Sequence, residues 1–397
     1  MNPLNLTVKT PRVASIDIFR ALTMLLMIFV NDLWTLTDIP RWLGHKLDDE
    51  DGMGLADGVF PAFLFIVGLS VPLAIQARKQ KGQSTIYIFG HIVIRSLALI
   101  VMGVFMVNLE NINNQLLPYS KHYWQILMTL AFFLIWNYYR DKKALSTIPQ
   151  WVMQILGVGI LIYLAVIFKG GSAEDPQWMR TYWWGILGLI GWGYLVCATL
   201  YLVVGDKLLW IGVICLVFYL LNVQQFVSPF DRSFKIVVGA SVHASVMTGV
   251  LTTLILLKLR NTDKSTQLVM ALLSLAAILI IFGFVTRPEW GISKIRATPS
   301  WTAICAGISI VFFLLIYLIA DKKGFTKWAN PIAPAGRSTL TCYLLPYYVY
   351  AIIALVSFEL PGSWTNSYIG IFKSLVFSYL IIALTGLLEK IPLRLKI

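Results

Sequence analysis

Charge is what this chain has least of. Only 13% of its 397 residues are charged, against about a quarter in a soluble globular domain, and no polar stretch is long enough to form a separate water-soluble module. An ordinary globular enzyme is therefore excluded. Cysteine is scarce as well: Cys197, Cys215, Cys305 and Cys342 all lie in apolar runs, without a CxxC pair or a metal-ligand spacing. Neither a disulfide framework nor a metal site is expected from them. The sequence has no P-loop, dinucleotide fingerprint, HExxH or GxSxG elbow. It also lacks an internal repeat and the inverted symmetry of transporters.

What is abundant is grease. The chain is 58% hydrophobic with a mean hydropathy of +0.75, and apolar runs near the roughly 20 residues needed to cross a bilayer recur from end to end. Twelve are expected, at about 16–36, 56–77, 86–108, 122–139, 150–168, 183–203, 207–222, 236–258, 267–286, 299–320, 335–356 and 367–388. The expected fold is an all-α integral membrane bundle of about twelve helices, forming one domain over residues 1–397. Lys9 and Arg12 precede a full-length first span with no small-residue cleavage site, so that helix is expected to remain in the protein. The net charge of +13 reads as topology and not as nucleic-acid binding. With both termini cytoplasmic, eighteen Lys and Arg residues fall on inward segments and ten on outward links, as the positive-inside rule requires. The loop at 37–54 then faces outward and is acidic. A bacterial inner membrane is the expected location.

Polar residues at the edges of apolar spans are costly unless solvated or paired, so they read first as functional. His45 stands in the outward loop, twelve residues before Asp57 at the mouth of the second span. An imidazole with a carboxylate to orient it is a simple proton-handling pair; a solvated surface histidine explains His45 as simply, while Asp57 lies one turn inside the apolar run, which speaks against a pure helix cap. Asn31 ends the first span, where it could orient a carbonyl or cap the helix. Asp17 and Arg20 have the i, i+3 spacing of a local ion pair. Arg95 lies some nine residues into the third span, roughly 14 Å deep, and must meet an anion, carbonyls, water or a structural partner such as Asp17. His243, among small residues in GASVHASVMTG, suits an inter-helix hydrogen bond.

Taken in order, SIDIFRALTMLLMIFVN, the loop histidine, ADGVFPAFLFIVG and IRSLALIVMG resemble the core of heparan-α-glucosaminide N-acetyltransferase and its bacterial relatives. The likeness is strongest over residues 12–108. Farther on, GISKIRATPSW keeps Lys294 and a displaced Trp301 of a family segment, with Ser293 and Ile295 where the family has asparagines. Ser338 stands for an asparagine in GRSTLTCY, Pro346 for a histidine, and Ile126 for an arginine after Gln125. The resemblance implies a family core of about ten spans with a pair inserted near 183–222. It implies an acetyl group taken from cytoplasmic acetyl-CoA and given to the amine of an amino sugar or glycan outside. His45 would be catalytic, as general base or as acetyl relay, with Asp57 and Asn31 shaping its site. Arg95, Arg20, Asp17, Lys294 and Ser338 would serve the acetyl-CoA side, helped by the basic loops Arg78/Lys79/Lys81 and Lys322/Lys323/Lys327. The lipid bilayer and a second copy of the chain are the remaining expected partners. The rival readings are an O-acyltransferase acting on polysaccharide hydroxyls and a transporter without chemistry.

Overall fold

The computed structural model describes residues 13–139, 149–227, 238–260, 265–391 and 393–397. Lys9, Arg12, Arg140, Lys142 and Lys143, which carry part of the charge-based orientation, lie outside the described residues. Thirteen helices follow in order: α1 (Ala14–Asp32), α2 (Leu55–Gln80), α3 (Thr85–Glu110), α4 (Lys121–Trp136), α5 (Gln150–Ile167), α6 (Ile186–Val204), α7 (Leu208–Val227), α8 (Ala240–Leu259), α9 (Ser265–Trp290), α10 (Pro299–Tyr317), α11 (Ala333–Arg337), α12 (Thr339–Leu355) and α13 (Ser367–Lys390). Helices are what such runs must form, because inside a bilayer every backbone N–H and C=O has to be satisfied within the segment. Their starts are marked chemically: the side chains of Ser84, Ser120 and Thr298 accept backbone N–H bonds at the starts of α3, α4 and α10, replacing partners the first turn lacks. The sole sheet among the described residues is a hairpin of two-residue strands, β1 (Gly170–Gly171) and β2 (Pro176–Gln177).

Each of the twelve apolar runs contains a helix, but they are not twelve uniform spans. Among the described residues ten helices are long and apolar enough to cross a membrane, or eleven if the segment Lys327–Arg337 and α12, bent by 74° at the break between them, count as one span. The remaining run, α4, has 16 residues, about 24 Å at 1.5 Å per residue. The chain is thus a multi-pass membrane protein. Residues near both ends of the chain meet at one end of the bundle. Asp321 accepts the N–H groups of Ala14 and Ser15 at 2.8 Å each, and Arg20 lines one cavity together with Lys396 and Ile397.

α8 is the hub. Of its apolar window 83% is buried, against 17% for α5. It packs along α2, where Gly68 and Gly249 let the two backbones touch: a Cβ on Gly68 would lie 1.9 Å from the Val246 carbonyl oxygen, and one on Gly249 would lie 2.0 Å from that of Phe65. Thr253 Oγ1 donates across the same seam to the Leu69 carbonyl at 2.9 Å. Small residues serve helix association in lipid because close backbones gain dispersion contacts that lipid tails cannot match. The 183–222 pair is not peripheral. α6 packs on α3, α2 and α8, with half of its apolar window buried, and α7 packs on α8 with 28% of its own buried.

Candidate functional site

The 37–54 loop folds back on itself before α2 begins. Leu55 N–H bonds to Trp42 O at 2.7 Å and Ala56 N–H to Leu43 O at 3.1 Å, while Gly54 passes so near the Gly44 carbonyl that a Cβ there would be 2.0 Å away. This crossing sets His45 beside the third residue of α2. His45 Nδ1 and Asp57 Oδ1 are 2.7 Å apart. The other Asp57 oxygen accepts the N–H groups of Gly54 at 2.9 Å and Lys46 at 3.1 Å. Asp57 is therefore a first-turn helix cap and the imidazole's partner at once. Its side chain is 1% exposed, that of His45 49%. Trp301 on α10 donates its indole N–H to the Asp57 carbonyl at 3.2 Å, which fixes the start of α2 against α10.

Lys294 completes the cluster. Its Nζ lies 3.2 Å from His45 Nδ1 and 3.4 Å from Nε2. An ammonium in line with the Nε2 lone pair would be about a ring-width farther from Nδ1, so the amine rests alongside the ring with Nε2 not taken up head-on. Burial holds Lys294 below the ordinary lysine range, and the Asp57 charge pulls it partly back. Sequence reasoning set Lys294 with the cofactor residues; the fold puts it against His45, at the opposite end of the bundle from Arg20.

The turn bearing Lys294 is clamped to the His45 loop by Asp51. Asp51 Oδ1 accepts Ile292 N–H at 2.7 Å, and Asp51 Oδ2 pairs with Arg287 Nε at 3.0 Å. The Ile292 N–H bond above all, with Arg287 assisting, lowers the Asp51 carboxyl below its usual range. A carboxyl lowered on folding contributes stability above its unfolded value and loses it as pH falls through the folded value. Asp51 is half exposed, so the clamp is worth less than ~1 kcal/mol. Asp51→Asn is expected to reduce hydrogen-exchange protection of residues 44–54 several-fold at neutral pH. The wild type should lose the same protection only below about pH 4. Equal protection in the two proteins at pH 7 would refute the clamp.

Two cavities lie end to end beside α1. The narrower, of about 360 Å³, is lined by Arg20, Ser70, Arg95, Tyr194, Arg337 and Lys396 among others. The wider, of about 690 Å³, is lined by Asn31, Trp34, Glu110, His122, Gln125, Tyr347 and Tyr350 among others. Met27, Ile186 and Tyr343 line both and form the partition. On α1, Arg20 and Asn31 are eleven residues apart, about 16 Å, with Met27 between them.

Arg95 does not meet Asp17. Asp17 pairs with Arg20 at 3.1 Å, and Arg20 also donates to Ser70 Oγ at 2.7 Å. Arg95 instead lies over the Tyr194 ring, 5.0 Å from its centre, exposed toward the narrow cavity. Ser338 turns away from that cavity and donates to Glu389 at 2.7 Å, although Arg337 and Thr339 on either side line it. Neither lining includes His45. Phe63, which does line the narrow cavity, is six residues along α2 from Asp57, roughly 9 Å. His243 is fully buried in α8, its ring 5.2 Å from Phe218. Among the described residues no three His, Cys, Asp or Glu side chains converge as a metal-binding group.

Sequence reasoning missed a buried ion pair at the Asn31 end of α1. Asp32, 1% exposed, takes Lys373 of α13 at 2.8 Å and also accepts from Tyr350 and Ser374. The signal available was a lone lysine inside an otherwise apolar α13 run, which needs a partner at that depth.

Residues 12–169 match a family model described as "Heparan-alpha-glucosaminide N-acetyltransferase, catalytic". The chain is similar to two curated proteins named heparan-alpha-glucosaminide N-acetyltransferase. The human protein is 37% identical over 98 residues, which is 25% of this chain and 14% of the relative. The mouse protein is 38% identical over 97 residues, 24% and 14% of the two chains. The aligned part is thus a small fraction of those relatives' length.

Proposed function

Taking as premise that residues 12–169 belong to the heparan-α-glucosaminide N-acetyltransferase catalytic family, we propose that this membrane protein moves an acetyl group from acetyl-CoA to the amine of an amino sugar or glycan across its bundle. The observation that carries this reading is the pair of stacked cavities divided only by Met27, Ile186 and Tyr343. The narrow cavity, with Arg20, Arg95, Arg337 and Lys396 in its walls, suits a ligand that has an apolar arm and an anionic end, as coenzyme A does. Its volume accommodates the pantetheine arm, with the nucleotide left at the mouth. The wide cavity takes the acceptor from the other end, and amine and thioester meet at the partition. The narrow cavity opens to the cytoplasm and the wide one outward, in keeping with the positive-inside distribution.

A thioester needs no activation to become an electrophile. The protein has to bring the amine nitrogen within about 3–3.5 Å of the carbonyl carbon and collect a proton. Nitrogen attacks carbon, the C–S bond breaks, the amine proton passes by way of the base to the departing thiolate sulfur, and the coenzyme leaves as thiol. Asn31, at the wide cavity's wall, can donate its amide N–H to the carbonyl oxygen as charge develops there. His45 stands outside both cavity linings, so in this reading the amine proton reaches its Nε2 through intervening water, while Asp57 holds Nδ1–H and steadies the imidazolium. An acetyl-imidazole relay uses the same nitrogen as nucleophile.

Labelled acetyl-CoA offered to the purified protein with glucosamine, a glucosaminide and a sugar alcohol tests the proposal. Label on the amines supports it; label on the alcohol alone would indicate O-transfer, and saturable uptake without acyl transfer would indicate a carrier. Arg95→Ala is expected to raise KM for acetyl-CoA about tenfold, the size of a lost charge-assisted contact, with kcat changed far less. An unmoved KM would remove Arg95 from the donor site.

A further inference from the structure

The acyl-transfer reading leaves one carboxylate in the wide cavity without a task. Asp32 there is already neutralised by Lys373 and hydrogen bonded by Tyr350 and Ser374. Glu110 is not. It is the last residue of α3, it lines the cavity, and among the described residues its carboxylate accepts no hydrogen bond and joins no ion pair. Lys121 lines the same cavity and, like Glu110, is exposed to the solvent in it, and it lies outside ion-pair distance of the carboxylate.

Two further features bear on what Glu110 awaits. First, it sits where α3 ends, and the carbonyls of a helix C-terminus carry partial negative charge that adds to the carboxylate's pull on a cation. Second, the cavity combines aromatic faces with polar atoms that lack partners. Trp34 meets Tyr350 edge-on at 5.9 Å, Tyr350 stacks on Phe377 at 5.2 Å, and His122 Nδ1 is buried without a hydrogen-bond partner. Apolar faces with a few convergent polar groups bind small polar ligands by their faces and orient them by their edges. A neutral sugar would satisfy the rings and the imidazole and leave Glu110 bare. A sugar bearing an ammonium group satisfies all three.

We propose that Glu110 is the specificity residue of the wide cavity, selecting a protonated amine over a hydroxyl or an amide on the acceptor. The proposal deepens the acyl-transfer reading and rests on it for the identity of the acceptor cavity. It assigns binding alone: Glu110 holds the cationic form, which releases one proton to the water of the open cavity before the nitrogen attacks.

The test needs no turnover. Equilibrium binding of glucosamine, glucose and N-acetylglucosamine is measured on the purified protein in detergent without acetyl-CoA, followed by tryptophan fluorescence because Trp34 lines the cavity. The wild type is expected to bind glucosamine about tenfold or more tightly than either neutral sugar. Glu110→Gln should bring the three within about twofold. Glu110→Asp, which keeps the charge and shortens the arm, should retain part of the preference. Equal wild-type affinity for the three sugars overturns the proposal. So does a full preference for glucosamine in a Glu110→Gln protein with wild-type unfolding temperature. Glutamate-dependent glucosamine binding in a protein that transfers no acetyl group would sustain the assignment and sink acyl transfer. Acetylation of glucosamine with no dependence on Glu110 would do the reverse.

Discussion

His45→Ala, compared at matched expression and with an unchanged unfolding temperature, is expected to lose about 10²- to 10⁴-fold in acetyl transfer to an amine, the range that a positioned general base supplies. The expectation comes from the way the ring is held. Asp57 Oδ1 stands 2.7 Å from Nδ1, and its other oxygen is committed to two backbone N–H groups, so the carboxylate cannot turn away. That leaves Nε2 to take up a proton or an acetyl group. Asp57→Asn keeps an acceptor oxygen but removes the charge that steadies an imidazolium, and a loss of at least about tenfold is expected. Burst kinetics separate the two routes: an acetyl-histidine relay releases one equivalent of coenzyme A before any acceptor is added, and a general base does not. Wild-type turnover in His45→Ala would take the imidazole off the reaction path. The chemistry would then fall to groups that line the cavities themselves, such as Asn31 in the wall of the wide one, which His45 does not line.

The second large effect is on folding, and it turns on where one methyl group is placed. Gly68→Ala directs a Cβ to 1.9 Å from the Val246 carbonyl oxygen, and Gly249→Ala directs one to 2.0 Å from that of Phe65. Both obstacles are backbone, so no rotamer change relieves them and α2 must move off α8. Overpacking of this kind costs typically 1–3 kcal/mol and occasionally more; the upper end or beyond, roughly 3 kcal/mol, is expected here because two backbones collide. The readouts are a fall in unfolding temperature in detergent and loss of monodisperse protein. Gly90→Ala and Gly212→Ala supply the contrast. Both glycines are helical with open space where a Cβ would go, and a gain of up to about 1 kcal/mol is expected as the unfolded chain loses freedom. Equal unfolding temperatures for Gly68→Ala and Gly90→Ala would refute the close crossing. The seam also matters for function, since α2 carries Asp57 at its start and Phe63 and Ser70 at the narrow cavity.

The sequence was most legible where bilayer physics leaves one solution. Each of the twelve apolar runs holds a helix because a backbone in hydrocarbon must bond to itself, but the described residues form thirteen helices, ten of them long and apolar enough to cross; α4 and the bend between α11 and α12 are where length alone could not say what crosses. The Asp17–Arg20 pair was readable because i, i+3 contacts are set by one helix. His45 and Asp57, twelve residues apart across a loop, were readable as a pairing but not as a geometry. The crossing of Gly44 under Gly54 that joins them is a tertiary contact between two glycines that look unremarkable in the string.

Composition and periodicity by themselves thus determined a multi-pass helical bundle and an edge cluster of polar groups, since the solvent preference of each segment is a local property. Only the tertiary structure decided partners. It gave Lys294 to His45, Arg95 to Tyr194, Lys373 to Asp32 and, among the described residues, none to Glu110, and it set two cavities end to end on either side of Met27. Which side chain neutralises another depends on how helices far apart in sequence pack, and electrostatic attraction in a low-dielectric interior acts over that distance in space, not along the chain.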